Sequence, residues 1–173
     1  LAATTLRERL DGLVLNDIGP ELPEGALRRI GRYVGSPPRF AKFSELLAYF
    51  RTIYASFGNL DEEEWHALTV ASARRLENGD WTPHYDPRIA EPIEALPEQA
   101  DLWEVYDQIR SPTLLVRGEQ SDLLPAHIAQ KMTERGPRAQ LFVVPQCGHA
   151  PYLNTPDQLR LIREFWEAIY TAS

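Results

Sequence analysis

The sequence predicts an α/β fold built on a parallel sheet. Thr113–Val116 and Leu141–Val144 are uninterrupted apolar runs, each leading into a loop that contains a glycine. Helical patterns separate and follow them, at Ala126–Arg135 and from Thr155 onward. An earlier run, Leu13–Asn16, is bounded by Gly12 and by Gly19-Pro20 and reads as a third short buried strand. Strands that alternate with helices imply parallel pairing, because the helix supplies the crossover.

Taken in order, Leu1 to Leu10 reads as the last turns of a helix, with Ala2, Ala3, Leu6 and Leu10 apolar and no cap in front. The uncapped start suggests a truncated element. The strand after it presents Asn16 and Asp17 at its end. Residues 22–108 then change character. Phe43, Leu46, Leu47, Phe50 and Ile53, followed by Trp65, Leu68 and Val70, recur at helical spacing, and proline breaks are frequent. This stretch is expected to hold short helices joined by irregular turns, without strands. It is either a helical layer on the sheet or a lid over a pocket. At Thr155-Pro156-Asp157-Gln158 three start signals agree: a threonine cap, proline at the first helical position and glutamine at the capping-box position. Leu159, Ile162, Phe165, Trp166 and Ile169 form the expected apolar face of that last helix.

Composition excludes several functions. The 173 residues are 43% hydrophobic and 25% charged, enough for a buried core in one domain or a large piece of one. A net charge of −7 without a basic cluster argues against nucleic-acid binding. No apolar run approaches the ~20 residues of a membrane-spanning helix. The amino terminus lacks the pattern of a signal peptide. One cysteine cannot form an internal disulfide and fits a reducing, cytoplasmic setting. There is no zinc-type Cys/His spacing and no phosphate-binding glycine loop, so neither metal nor organic cofactor is expected.

Chemistry concentrates at the strand ends, where open α/β sheets bind ligands. Gly148 lets the chain turn tightly and project His149, an imidazole able to act as a general base near neutral pH. Such a base needs a carboxylate to fix its tautomer and stabilise the imidazolium. Two candidates stand at strand ends: Asp122, after the strand that reaches Arg117, and Asp17, after Leu13–Asn16. Each also has a plain structural role available, Asp122 as a cap for the following helix and Asp17 as an acceptor in the Ile18-Gly19-Pro20 turn. His66, His84 and His127 lack paired chemistry and read as surface or structural groups. Cys147 is too close to His149 in sequence to be an obvious nucleophile.

The ordered set Leu13–Pro20, Leu114–Asp122 and Cys147–Gln158 resembles the carboxy-terminal part of an α/β-hydrolase fold enzyme, and the resemblance covers nearly the whole chain. It implies parallel strands flanked by helices with a helical cap inserted. Residues 1–21 would be the end of a core helix and a core strand, 22–108 the cap, and 109–173 the core segment carrying acid and histidine. It also implies a Ser-His-Asp hydrolase of a small ester-like or related substrate, acting without cofactor. His149 would be the base and Asp122, slightly favoured over Asp17, its acid. Phe43, Tyr49, Phe50, Tyr54, Phe57, Trp65, Trp81 and Trp103 would line an apolar pocket.

Two departures from the family pattern stand out. No G-x-S-x-G elbow occurs in these 173 residues. The serine is therefore expected upstream, on an amino-terminal half that is a separate chain or lost, and this chain alone is expected to be inactive. The usual acid position, three residues after the strand-end glycine, is Ser121. The alternatives are a non-catalytic binding protein of the same fold, and a dehalogenase or epoxide hydrolase with an upstream aspartate nucleophile.

Overall fold

The computed structural model describes residues 5, 9–23, 25, 30–31, 34–91 and 100–172. In chain order its regular elements are β1 (Leu13–Asn16), β2 (Glu21–Leu22), α1 (Phe43–Ile53), α2 (Glu62–Ser72), β3 (Ala73–Arg75), β4 (Trp81–Pro83), β5 (Ala100–Asp101), α3 (Trp103–Tyr106), β6 (Thr113–Gly118), α4 (Ala126–Glu134), β7 (Gln140–Val144) and α5 (Pro156–Ala172). The chain forms two compact units, one from residues 1–23 with 99–173, the other from residues 24–98.

The first unit contains a parallel three-stranded sheet in the order β1-β6-β7. Leu13 pairs with Thr113 and Asn16 with Val116 on one side of β6, while Leu114 pairs with Gln140 and Gly118 with Val144 on the other. All six residues of β6 are buried, which is why Leu114–Val116 run apolar without alternation. Side chains leave a strand to alternate faces, so two cores result. On one face Leu115, with Leu13, Leu15 and Leu141, packs on Trp103, Tyr106 and Ile109 and on Ile128, Ala129 and Met132 of α4. On the other, Leu114, Val116 and Val144 pack with Val14 and Phe142 against Phe165, Leu161, Ile162, Trp166 and Ile169 of α5. Full burial of each such aliphatic side chain is worth ~1.5–3 kcal/mol.

Three local expectations are corrected here. The buried stripe of α5 runs through Gln158, Leu161, Ile162 and Phe165, so Leu161 takes the inward place while Leu159 is 54% exposed. The Thr155 hydroxyl does accept the Gln158 N–H, at 3.4 Å, but Gln158 Oε1 is buried with no hydrogen-bond partner, so only half of the capping box forms. Trp103 belongs to the core around Leu115 rather than to an insertion that would line a pocket. Its indole N–H donates to Glu21 Oε1 at 2.5 Å, beside the antiparallel pairing of β2 with β5.

The second unit is not purely helical. β3 and β4 form an antiparallel hairpin, with Ala73 opposite Pro83 and Arg75 opposite Trp81. Helical spacing masked these three-residue strands, and the proline that argues against a strand sits opposite Ala73 at a position that donates no ladder bond, the cross-strand bond coming from the next residue, His84 N–H to Ser72 O at 2.9 Å. α2 opens with a full capping box: Glu64 N–H donates to Asp61 Oδ1 at 2.9 Å and Asp61 N–H to Glu64 Oε2 at 2.8 Å. Leu46, Phe50, Trp65 and Leu68 are this unit's buried apolar side chains on α1 and α2. The helix read at Leu1–Leu10 falls largely outside the described residues.

Tyr106 ties α3 to α4 through its hydroxyl, which donates to Met132 O at 2.7 Å. Burial pushes its pKa from the ordinary 10.0 up to about 12. A raised folded-state pKa means that this contribution is intact below the ordinary tyrosine pKa and is lost as pH rises from there toward the folded value. Urea unfolding should therefore show stability falling between pH 10 and 12. Tyr106→Phe should cost ~0.5–1.5 kcal/mol at neutral pH, the net worth of the lost hydrogen bond, since Met132 O keeps the Ala139 N–H at 3.1 Å, and should flatten that alkaline loss.

Candidate active site

The site is assembled where β1, β6 and β7 end. Asp17 follows β1 directly, fully buried and with φ of 55°. Aspartate tolerates this left-handed conformation better than most residues. Here it turns the chain off the strand while Asp17 N–H still donates to Val116 O at 2.7 Å, the last rung of the β1–β6 ladder.

His149 stands in the loop after β7, its side chain 21% exposed. Its Nδ1 lies 2.9 Å from Asp17 Oδ2. An ionised carboxylate only accepts, so this bond puts the proton on Nδ1 and leaves Nε2 as the basic nitrogen. Asp17 Oδ2 also accepts from the Ser121 hydroxyl at 2.6 Å, and Oδ1 accepts from Gly118 N–H at 2.9 Å. The buried charge is thereby met by three donors. A buried carboxylate left without such donors would cost several kcal/mol, on the order of an unmade charge-assisted bond.

Of the two carboxylates singled out in the sequence, the one bonded to His149 Nδ1 is Asp17. Asp122 is exposed on the turn after β6. The hydroxyl at the third position after Gly118 contacts Asp17 instead. Sequence reading noted Ser121 only as a departure from a pattern. The same spacing was the signal that could have paired it with Asp17.

Backbone contacts hold the loops together. Glu119 N–H donates to Val144 O and Gln120 N–H to Cys147 O, at 2.9 and 2.8 Å. Asn16 Nδ2 donates to Pro151 O at 3.0 Å, tying the end of β1 to the histidine loop. Gly118 is the point of closest approach: a Cβ built there would lie 2.2 Å from Gly148 O and 2.6 Å from Cys147 O. Both clashes are with backbone, so neither can be relieved by a rotamer change.

Cys147 is 2% exposed, and burial, reinforced by the charge of Asp17, pushes its thiol up to about 11. It is a packed thiol at neutral pH, not a thiolate nucleophile. Among the described residues no group of three or more His, Cys, Asp or Glu side chains is placed to hold a metal ion. No described helix is long and apolar enough to cross a membrane.

A parallel sheet of this order, covered on both faces, makes this an α/β protein, with a hydrogen-bonded histidine and aspartate at the carboxyl ends of its strands. The profile of the alpha/beta hydrolase family matches residues 1–160, and the chain belongs to that family. It is 41% identical, over 163 residues, to a 3-hydroxybutyrate-oligomer hydrolase of Cupriavidus necator; the match covers 89% of this chain and 56% of that protein. Over 61 residues it is 39% identical to a pimeloyl-[acyl-carrier protein] methyl ester esterase of Nitrosomonas europaea, covering 35% of this chain and 24% of the relative. An alpha/beta hydrolase from Novosphingobium aromaticivorans superposes with a TM-score of 0.83 at 32% identity, over 96% of this chain and 60% of that one. The chain thus spans little more than half the length of the first of these relatives.

Two outcomes follow from the geometry. Gly118→Ala should lower stability by several kcal/mol, at the upper end of the ~1–3 kcal/mol typical of overpacking or beyond it, as read by urea denaturation. Native protein at pH 7.5 should resist iodoacetamide at Cys147, whereas the unfolded chain should be alkylated, as intact mass will record.

Proposed function

We propose that this chain carries the base and the acid of a serine hydrolase, with His149 as general base and Asp17 as its orienting acid. The observation that carries the reading is the 2.9 Å bond between His149 Nδ1 and the buried Asp17 carboxylate. It holds the imidazole in the tautomer that leaves Nε2 able to take a proton from a nucleophile. The serine would come from sequence outside these 173 residues, in the part of the longer relatives that the chain does not match. The serine attacks the ester carbonyl, His149 takes its proton and returns it to the departing alcohol, and water then releases the acyl group through the same base. Asp17 keeps the imidazole oriented and stabilises the imidazolium.

The substrate class is a small carboxylic ester. Kinship to a hydrolase of 3-hydroxybutyrate oligomers and to a methyl ester esterase supports this. Within that class we favour linear esters of short hydroxy acids, the chemistry named for the relative aligned over most of this chain. The segment read from the sequence as a cap, residues 22–108, of which residues 24–98 form a compact unit of their own, is proposed as the cap of the family. Without the part that supplies the serine, the chain should not turn over ester.

The test is steady-state hydrolysis of p-nitrophenyl butyrate and of 3-hydroxybutyrate dimer by the protein that includes its nucleophile-bearing part. His149→Ala and Asp17→Asn should each lower kcat by roughly 10³–10⁴-fold, while Asp122→Asn should change it by less than about threefold. The reverse order of the two aspartates would move the acid to Asp122. Full activity in His149→Ala would sink the reading, and an upstream aspartate in the serine position would redirect it to dehalogenase or epoxide hydrolase chemistry.

A further inference from the structure

The Asp17 carboxylate is gripped unevenly. Oδ1 receives one donor, Gly118 N–H, whereas Oδ2 receives both His149 Nδ1 and the Ser121 hydroxyl, at 2.9 and 2.6 Å. Ser121 is itself saturated. Its Oγ accepts the N–H groups of Leu123 and Leu124, at 3.2 and 3.0 Å. A serine hydroxyl has one proton and two lone pairs. With both lone pairs engaged by the backbone, its proton has one direction left, toward Asp17.

We propose that Ser121 is a positioning residue for His149, acting through Asp17. The terminal torsion of an aspartate is a broad rotor. The Gly118 N–H alone pins one oxygen and leaves the carboxylate free to swing about that contact. The aimed hydroxyl pins the second oxygen, so Oδ2 is held facing Nδ1 before any substrate arrives. The turn that carries Ser121 is anchored in turn by Arg117, 7% exposed, whose Nε donates to Leu124 O at 2.8 Å and whose Nη1 donates to Glu119 O at 3.1 Å. A guanidinium engaged with two carbonyls at both ends of one short turn restrains that turn as a unit. Ser121 thus occupies the place where the family pattern led us to expect an acid, and serves the acid instead.

The inference rests on the His149–Asp17 pair of the proposed function, and its primary readout does not require turnover. We would record ¹⁵N and ¹H NMR of the histidine side chains in the full-length protein, comparing wild type with Ser121→Ala and Ser121→Thr. In wild type His149 should show a single Nδ1–H tautomer and a downfield, slowly exchanging Nδ1 proton. Ser121→Ala should give mixed-tautomer shifts and exchange of that proton at least about tenfold faster, the change expected for losing ~1.4 kcal/mol of restraint. Ser121→Thr, which keeps the hydroxyl, should retain the wild-type signals. Ser121→Cys, close in shape with a weak donor, replaces the alanine variant if that one does not fold, with the same expectation.

In the ester assay Ser121→Ala should lower kcat about tenfold with KM unchanged, and should cost less than about twofold when added to Asp17→Asn, since positioning a lost acid gains nothing. A wild-type tautomer and proton exchange in Ser121→Ala would overturn the proposal whatever the activity. A Ser121-dependent tautomer in a protein that hydrolyses no ester would leave the positioning role standing and remove the ester reading.

Discussion

The site depends on one buried charge. Asp17 is inaccessible to water, and its carboxylate survives there because the donors that replace water come from separate segments of the chain. It stands at the end of β1, receives a main-chain N–H from the end of β6, a hydroxyl from the following turn, and an imidazole from the loop after β7. Three strand ends must therefore be in register before the charge is satisfied. Displacing any of them would strand a carboxylate in the interior.

The sheet makes that convergence possible. In a parallel sheet all carboxyl ends lie along one edge, so residues distant in sequence arrive side by side. The pairing of Asn16 with Val116 and of Gly118 with Val144 sets the relative height of the three ends. Two apolar cores, one under α4 and one under α5, hold that register from both faces. The contact between Gly118 and the backbone of Cys147 and Gly148 is the tightest expression of it, since a single methyl group has no space there.

Membership of the alpha/beta hydrolase family agrees with the order of elements read from the sequence: strand, insertion, strand with acidic loop, strand with histidine loop, long final helix. The chain covers little over half of the 3-hydroxybutyrate-oligomer hydrolase it is similar to, and no G-x-S-x-G occurs among its residues. What it contributes to catalysis, on the proposed reading, is proton transfer and its control. On that same reading, attack is the work of another segment.

Local chemistry determined much of this. Continuous apolar runs marked β1, β6 and β7, the threonine–proline start marked α5, and the glycine before His149 marked a tight turn that projects an imidazole. Those signals lie within a few residues of each other, so they survive without a structure. The three-residue strands of the hairpin at Ala73–Pro83 were hidden, because such short strands carry almost no periodicity. Leu159 and Leu161 exchanged roles because helix phase depends on how α5 is rotated against the sheet. The sequence offered Asp17 and Asp122 on nearly equal terms, each at a strand end with a plausible reach. Tertiary structure decided between them as partner of His149, because reach across a sheet is set by the register of β1 against β6 and the left-handed turn at Asp17, and no local pattern encodes a distance between residues 132 positions apart.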